Sequence, residues 1–99
     1  MPAQRQTKTQ KTPIVSVWII TYNQEKYLPK AIDSALQQET DFPFEIVIGE
    51  DCSSDQTREV CLRYQREHPD KIRLILHEQN IGLVRNFWLT LQACRGQYV

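Results

Sequence analysis

No apolar run in the chain approaches the roughly 20 residues that span a bilayer, and the basic N-terminus is not followed by the apolar stretch of a secretory signal. The segment reads as soluble. An excess of charge is missing too: 12 Lys and Arg balance 12 Asp and Glu, which removes the electrostatic footprint of a nucleic-acid binder. Cysteine is scarce and odd in number. Cys52, Cys61 and Cys94 lack Cys-x-x-Cys spacing, so neither a disulfide framework nor a zinc knuckle is indicated, and a reduced cytoplasm is the natural compartment.

Glycine is the scarcest structural residue, with three in the chain. Nothing like Gly-x-Gly-x-x-Gly follows the first apolar run, and there is no phosphate-binding Gly-x-x-x-x-Gly-Lys-Ser/Thr, so NAD enzymes and P-loop NTPases are disfavoured. The nucleophile elbow Gly-x-Ser-x-Gly is absent as well. His68 and His77 have no metal-ligand spacing and no evident carboxylate or serine partner, and read as bystanders.

What is present is a repeating alternation of short apolar runs and helical periodicity. Residues 1–12 carry Arg5, Lys8 and Lys11 without an acid and have no apolar period, which predicts a disordered, solvated tail. From residue 13 to 99 the chain reads as one domain, short enough to bury only roughly 60–65% of its unfolded surface. Ile14 to Ile20 is a β-branched, nearly unbroken apolar run, the pattern of a strand buried on both faces. Leu28, Ile32, Ala35 and Leu36 then recur at helical spacing through about Gln38, with Pro29 tolerated in the first turn and Gln24 to Tyr27 forming a separate turn. After a loop at Thr40 to Pro43, Phe44 to Gly49 is a second strand ending at the acidic pair Glu50-Asp51.

Ser53 with Gln56 has capping-box spacing and Asp55 could cap alone; either predicts a helix to Glu67 with Thr57, Val60, Cys61 and Tyr64 on its buried stripe. Lys71 to His77 is a third strand. A third helix follows Asn80-Ile81-Gly82, with Val84, Phe87, Trp88 and Leu91 as its apolar stripe and Gly96 as a left-handed cap. Gln97-Tyr98-Val99 opens a fourth apolar run that the chain does not complete.

Strand, helix, strand, helix, strand, helix, strand-start is the grammar of a parallel α/β sheet, in which ligands sit outside the carboxyl ends of the strands. That rule nominates Thr21-Tyr22-Asn23, Glu50 to Ser53, and Gln79 to Gly82. A carboxylate of the Glu50-Asp51 pair projecting into the crevice could bind a ribose hydroxyl, a base N–H or a divalent ion; equally, Asp51 caps a turn and Glu50 is solvated. Tyr22 either stacks on a planar base or packs on the sheet edge. Arg85 lies off the apolar stripe of the third helix, where it faces either the crevice or solvent.

Three ordered blocks carry a family resemblance: Val15 to Asn23, Glu45 to Thr57, and Asn80 to Asn86. From Pro13 to Val99 the chain resembles the N-terminal, nucleotide-binding half of family 2 glycosyltransferases. The resemblance implies a truncated Rossmann-like (GT-A) three-layer sandwich of βαβαβαβ-start topology. It also implies an enzyme that passes a sugar from a nucleoside-diphosphate sugar, usually a UDP-sugar, to an acceptor hydroxyl with inversion. On that view Thr21 and Tyr22 hold the base, Glu50 takes the place of the base-contacting acid, Arg85 reaches the base edge, and Asn23 and Asp51 complete the donor site. Ile20 stands where the family often has Pro, and Glu50 where Asp is common.

The family's Asp-x-Asp-type metal motif and general base would fall beyond Val99. Mg or Mn is therefore expected only in a longer protein, and the chain itself is expected to be inactive. The acceptor implied is a glycan or a lipid-linked molecule, and a longer protein would be cytoplasmic or peripheral to the membrane, within polysaccharide assembly. An interrupted sheet also leaves unpaired backbone groups and an uncovered apolar face, which predicts self-association. The competing class is a stand-alone nucleotide- or protein-binding module. A receiver-like phosphoacceptor domain fits poorly, because the first strand ends in Thr21-Tyr22-Asn23 rather than an acidic pair.

Overall fold

The computed structural model describes residues 13–38 and 42–99. The expected tail over 1–12 and the Thr40-Asp41 part of the first loop lie outside the described residues. Six elements follow in order: β1 (Val15–Thr21), α1 (Leu28–Leu36), β2 (Phe44–Glu50), α2 (Thr57–Glu67), β3 (Ile72–Leu76) and α3 (Leu83–Ala93).

The strands form a parallel sheet in the order β1-β2-β3, with Val15 opposite Phe44 and Ile46 opposite Ile72. Tyr98 makes a parallel bridge to Val15, through Ser16 N–H to the Tyr98 carbonyl at 2.8 Å and Tyr98 N–H to the Ile14 carbonyl at 2.9 Å. The end of the chain therefore lies on the side of β1 away from β2. Strand order reverses at β1, which makes its carboxyl end the switch point.

The pleat sends alternate β2 residues to opposite layers. Phe44, Ile46 and Ile48 join Leu28, Ile32 and Ala35 of α1, Cys61 and Tyr64 of α2, and Ile72 in one core. Glu45, Val47 and Gly49 face the other way, toward α3, giving three layers. All seven residues of β2 are buried, whereas β1 is only half-buried along most of its length. The strand enclosed on both faces is thus β2 and not β1, because helices cover both faces of β2 while β1 has a single bridge on its outer flank.

The turn at Gln24 to Tyr27 forms as expected, with Leu28 N–H bonded to the Gln24 carbonyl at 2.9 Å. The capping box does not: Asp55 Oδ1 accepts the Thr57 amide at 2.9 Å, and Ser53 bonds to Glu50 instead.

Two further expectations are corrected at α3. Its buried residues are Asn86 and Thr90, while Val84, Phe87 and Trp88 are exposed. The side turned to the sheet meets Gly49, whose missing side chain leaves room only for the close approach of those two polar residues. Gly96 is not a left-handed cap, since Gly82 is the only glycine with positive φ among the described residues. It is needed for space: a Cβ there would lie 2.7 Å from the Ser16 amide nitrogen.

Candidate nucleotide site

An open cleft of about 430 Å³ sits at the carboxyl end of β1, lined by Ile20, Thr21, Tyr22, Gln24, Asp51, Asn80, Gly82, Leu83 and Asn86. Its size falls within the roughly 300–1,000 Å³ of small-molecule sites. Three strand-end segments supply its walls, as expected for a parallel α/β sheet.

Thr21 ends β1 with 5% of its surface exposed. Its Oγ1 is buried without a hydrogen-bond partner in the protein, an arrangement that costs roughly 1–3 kcal/mol unless something fills it. Tyr22 beside it is 45% exposed, its ring free to meet a planar group.

Asp51 is buried. Its Oδ1 accepts the Ile81 amide at 2.8 Å and its Oδ2 the Gly82 amide at 2.9 Å, while Asn80 Nδ2 donates to the Asp51 carbonyl at 3.1 Å. One carboxylate thus ties the end of β2 to the loop before α3. Gly82, at φ +91°, lets that loop turn both amides toward Asp51, a conformation costly for residues with a Cβ.

Glu50 faces away from the cleft and is fully buried. Oε1 accepts the Ser53 amide at 2.8 Å and the Ser53 hydroxyl; Oε2 pairs with Arg58 Nε at 2.6 Å. Arg58 also donates to the carbonyl of His77. Asn23, at φ +53°, lies outside the cleft, its side-chain carbonyl accepting the Ser54 amide at 2.8 Å. Arg85 is exposed on the first turn of α3 and does not line the cleft.

Of the six residues singled out from sequence, Thr21, Tyr22 and Asp51 meet in the cleft, and Asn23, Glu50 and Arg85 do not line it. Gln24 and Asn86 line it without having been singled out as ligand contacts. Asn86 Nδ2 donates to the Gly49 carbonyl at 3.0 Å, which leaves its Oδ1 to accept from Thr90 at 3.0 Å and from His77 Nε2 at 2.9 Å. The available signal was the Asn86/Thr90 pair, four residues apart on a helix that must cross a glycine.

On the same side of the sheet, Glu45 is buried and accepts from Ser16 Oγ and the Arg95 amide, both at 2.6 Å. It also pairs with Arg73 at 3.2 Å and Arg95 at 3.1 Å. Burial alone would raise its carboxyl, but these hydrogen bonds outweigh it and hold the group below the ordinary carboxylate range.

Glu50 and Asp51 do not fit a divalent ion, because bound amides, a hydroxyl and a guanidinium already occupy their oxygens. Among the described residues no group of three or more His, Cys, Asp or Glu side chains could hold a metal. No helix among them is long and apolar enough to cross a membrane.

The fold defines a parallel α/β protein of the GT-A type, with an open cleft at the switch point of the sheet. The chain belongs to glycosyl transferase family 2, which it matches over residues 16–99. A protein of Mycobacterium tuberculosis is 40% identical over 86% of this chain and 25% of its own length. The chondroitin synthase of Escherichia coli is 33% identical over 90% of this chain and 12% of its own.

Among solved structures, TarS of Staphylococcus aureus in complex with UDP-GlcNAc superposes with TM-score 0.69 at 31% identity, over 86% of this chain and 25% of that one. A mannosyltransferase of Pyrobaculum calidifontis in complex with GDP-Man and Mn2+ shares the fold, at TM-score 0.70 and 24% identity over 94% of this chain and 28% of that one. The chain spans about a quarter of the length of the first curated relatives it matches.

Proposed function

We propose that the chain forms the donor-binding part of an inverting glycosyltransferase that takes a UDP-sugar and delivers the sugar to a hydroxyl of a glycan or lipid-linked acceptor. The observation that carries the reading is the switch-point cleft itself, where the exposed Tyr22 ring and the end of β2 at Asp51 meet. Tyr22 supplies a stacking face and Asp51 a negative wall. Solved relatives that hold UDP-GlcNAc and UDP support this class of donor.

Transfer needs a group to neutralise the departing diphosphate and a base for the acceptor proton. Among the described residues of the cleft the Asp51 carboxylate is already held by the Ile81 and Gly82 amides, which supports a reading in which the 99-residue chain binds nucleotide weakly and transfers no sugar, both groups being supplied by a longer enzyme of the cytoplasm or its membrane surface. The exposed α3 face around Trp88 and the flank at Tyr98 lead isolated copies to self-associate; a sharp monomer mass by light scattering at high concentration would contradict this.

Titration of UDP, GDP and ADP, followed by tyrosine and tryptophan fluorescence, tests the donor reading. Saturation by UDP ahead of the purine nucleotides is expected. Indifference to all three would point to a protein-docking module on the same half-sheet.

A further inference from the structure

The loop that carries Tyr22 and Gln24 into the cleft is held from behind by a repeated device. Asn23 N–H donates to Ser53 Oγ at 2.9 Å, and Ser53 Oγ donates to Glu50. One residue on, Gln24 N–H donates to Thr57 Oγ1 at 2.8 Å, and Thr57 Oγ1 donates to Asp55 Oδ1 at 2.5 Å.

A hydroxyl has one proton. When an ionised carboxylate takes it, the oxygen can only accept from the loop amide, so the polarity of each contact is fixed. Two consecutive amides of the β1–α1 loop are therefore locked by two hydroxyls whose protons are already committed. Asn23 sits at φ +53°, a conformation an unrestrained Asn visits only as a minority state. Glu25 continues the seam by accepting the Gln56 amide at 2.9 Å.

We propose that Glu50–Ser53 and Asp55–Thr57 are positioning pairs that fix the Tyr22–Gln24 wall of the nucleotide cleft, with Glu50 acting through Ser53 and not on the ligand. This rests on the donor reading above. It gives the acidic strand end two separate tasks: Asp51 forms the cleft wall and anchors the α3 loop, and Glu50 orders the opposite loop. Glu50 can do so because Arg58 neutralises its other oxygen, and Arg58 spans to the His77 carbonyl at the end of β3.

The test is a set of hydroxyl substitutions in the 99-residue chain, read by amide hydrogen exchange without nucleotide and by UDP titration. Ser53→Ala keeps the Ser53 amide bond to Glu50 and the Arg58 pair, and Thr57→Val is close to isosteric, so both should fold. Ser53→Ala should speed exchange at Asn23, and Thr57→Val at Gln24, while the Ile81 and Gly82 amides stay as they were. Each should weaken UDP about tenfold, the equivalent of roughly one hydrogen bond.

Ser53→Thr and Thr57→Ser, which return the hydroxyl, should restore both readouts; a purely volumetric role would not be rescued this way. Unchanged Asn23 and Gln24 exchange would overturn the positioning pairs, as would unchanged UDP affinity with protection at those amides lost. Failure of the unsubstituted chain to bind UDP would overturn the donor reading and, with it, the role of the pairs in that site. The exchange data would then report separately whether the loop lock exists.

Discussion

Asn86 donates its side-chain amide to the carbonyl of Gly49 at 3.0 Å, in the buried seam where α3 crosses β2. The bond depends on Gly49 having no side chain, since a Cβ there would overlap Thr90 Oγ1 and Asn86 Oδ1. Gly49→Ala should push α3 from the sheet and cost about 1–3 kcal/mol or more, as overpacking does in well-filled cores. Thermal denaturation reads the loss, and an unchanged midpoint would show that the seam has slack.

Thr21→Val tests the cleft from the opposite direction. Since Thr21 Oγ1 has no protein partner, replacing the hydroxyl by a methyl should leave stability unchanged or raise it by up to about 1 kcal/mol. The Thr21 side chain stands opposite Glu50 in the sheet, on the face away from the cleft, so UDP affinity should change little. A marked loss of thermal stability would mean that the hydroxyl has a partner.

Asp51→Asn keeps one acceptor but places an amide donor against the Ile81 or Gly82 N–H. The loop before α3 should loosen at a cost of about 1–3 kcal/mol, with faster exchange at both amides and weaker UDP binding. Slow exchange at both in the variant would place the loop's anchor elsewhere.

The acid limb of stability should depend on Glu45. Its carboxyl lies below the ordinary value of about 4.3 when folded, so the folded state holds the ionised form more tightly than the unfolded chain does. Its contribution is complete above the unfolded value and is lost as pH falls through the folded one. Glu45→Gln should be less stable than the parent at pH 7, with the difference shrinking toward pH 3 as judged by urea midpoints. A difference independent of pH would assign the effect to packing.

Cys61 should be chemically silent. Burial, and then the charge of Glu50, push its thiol up to about 12 against the opposing pull of Arg58. At pH 8 a disulfide reagent should label the half-exposed Cys52 and Cys94 and reach Cys61 only after denaturant is added. Rapid labelling of Cys61 in the native protein would require local opening of α2.

Much of the fold was legible because its signals are local. The β-branched run at Val15 to Ile20, the i, i+4 spacing of Leu28, Ile32 and Leu36, and the Thr57, Cys61, Tyr64 stripe each reflect a period that one element imposes on its own residues. The α3 face was not. Phe87 and Trp88 have the right spacing for a core stripe, but spacing does not say what lies opposite: Gly49 takes Asn86 and Thr90 against the sheet, and Phe87 meets the Trp18 ring edge-on, 4.4 Å between centroids.

The cleft divides the same way. Thr21, Tyr22 and Asp51 follow from the rule that strand ends carry ligands in parallel sheets. The parting of Glu50 from Asp51 does not, since adjacent residues at a strand end point to opposite sides and the carboxylate that meets Arg58 depends on where α2 begins.

The sequence by itself determined the order of elements, the parallel sheet and the family, because periodicity and ordered motifs survive without knowledge of any partner. Only the tertiary structure decided which acid faces the cleft, which face of α3 is buried and why Gly49 and Gly96 must be small. Each of those depends on contacts between residues distant in the chain, and no local pattern records them.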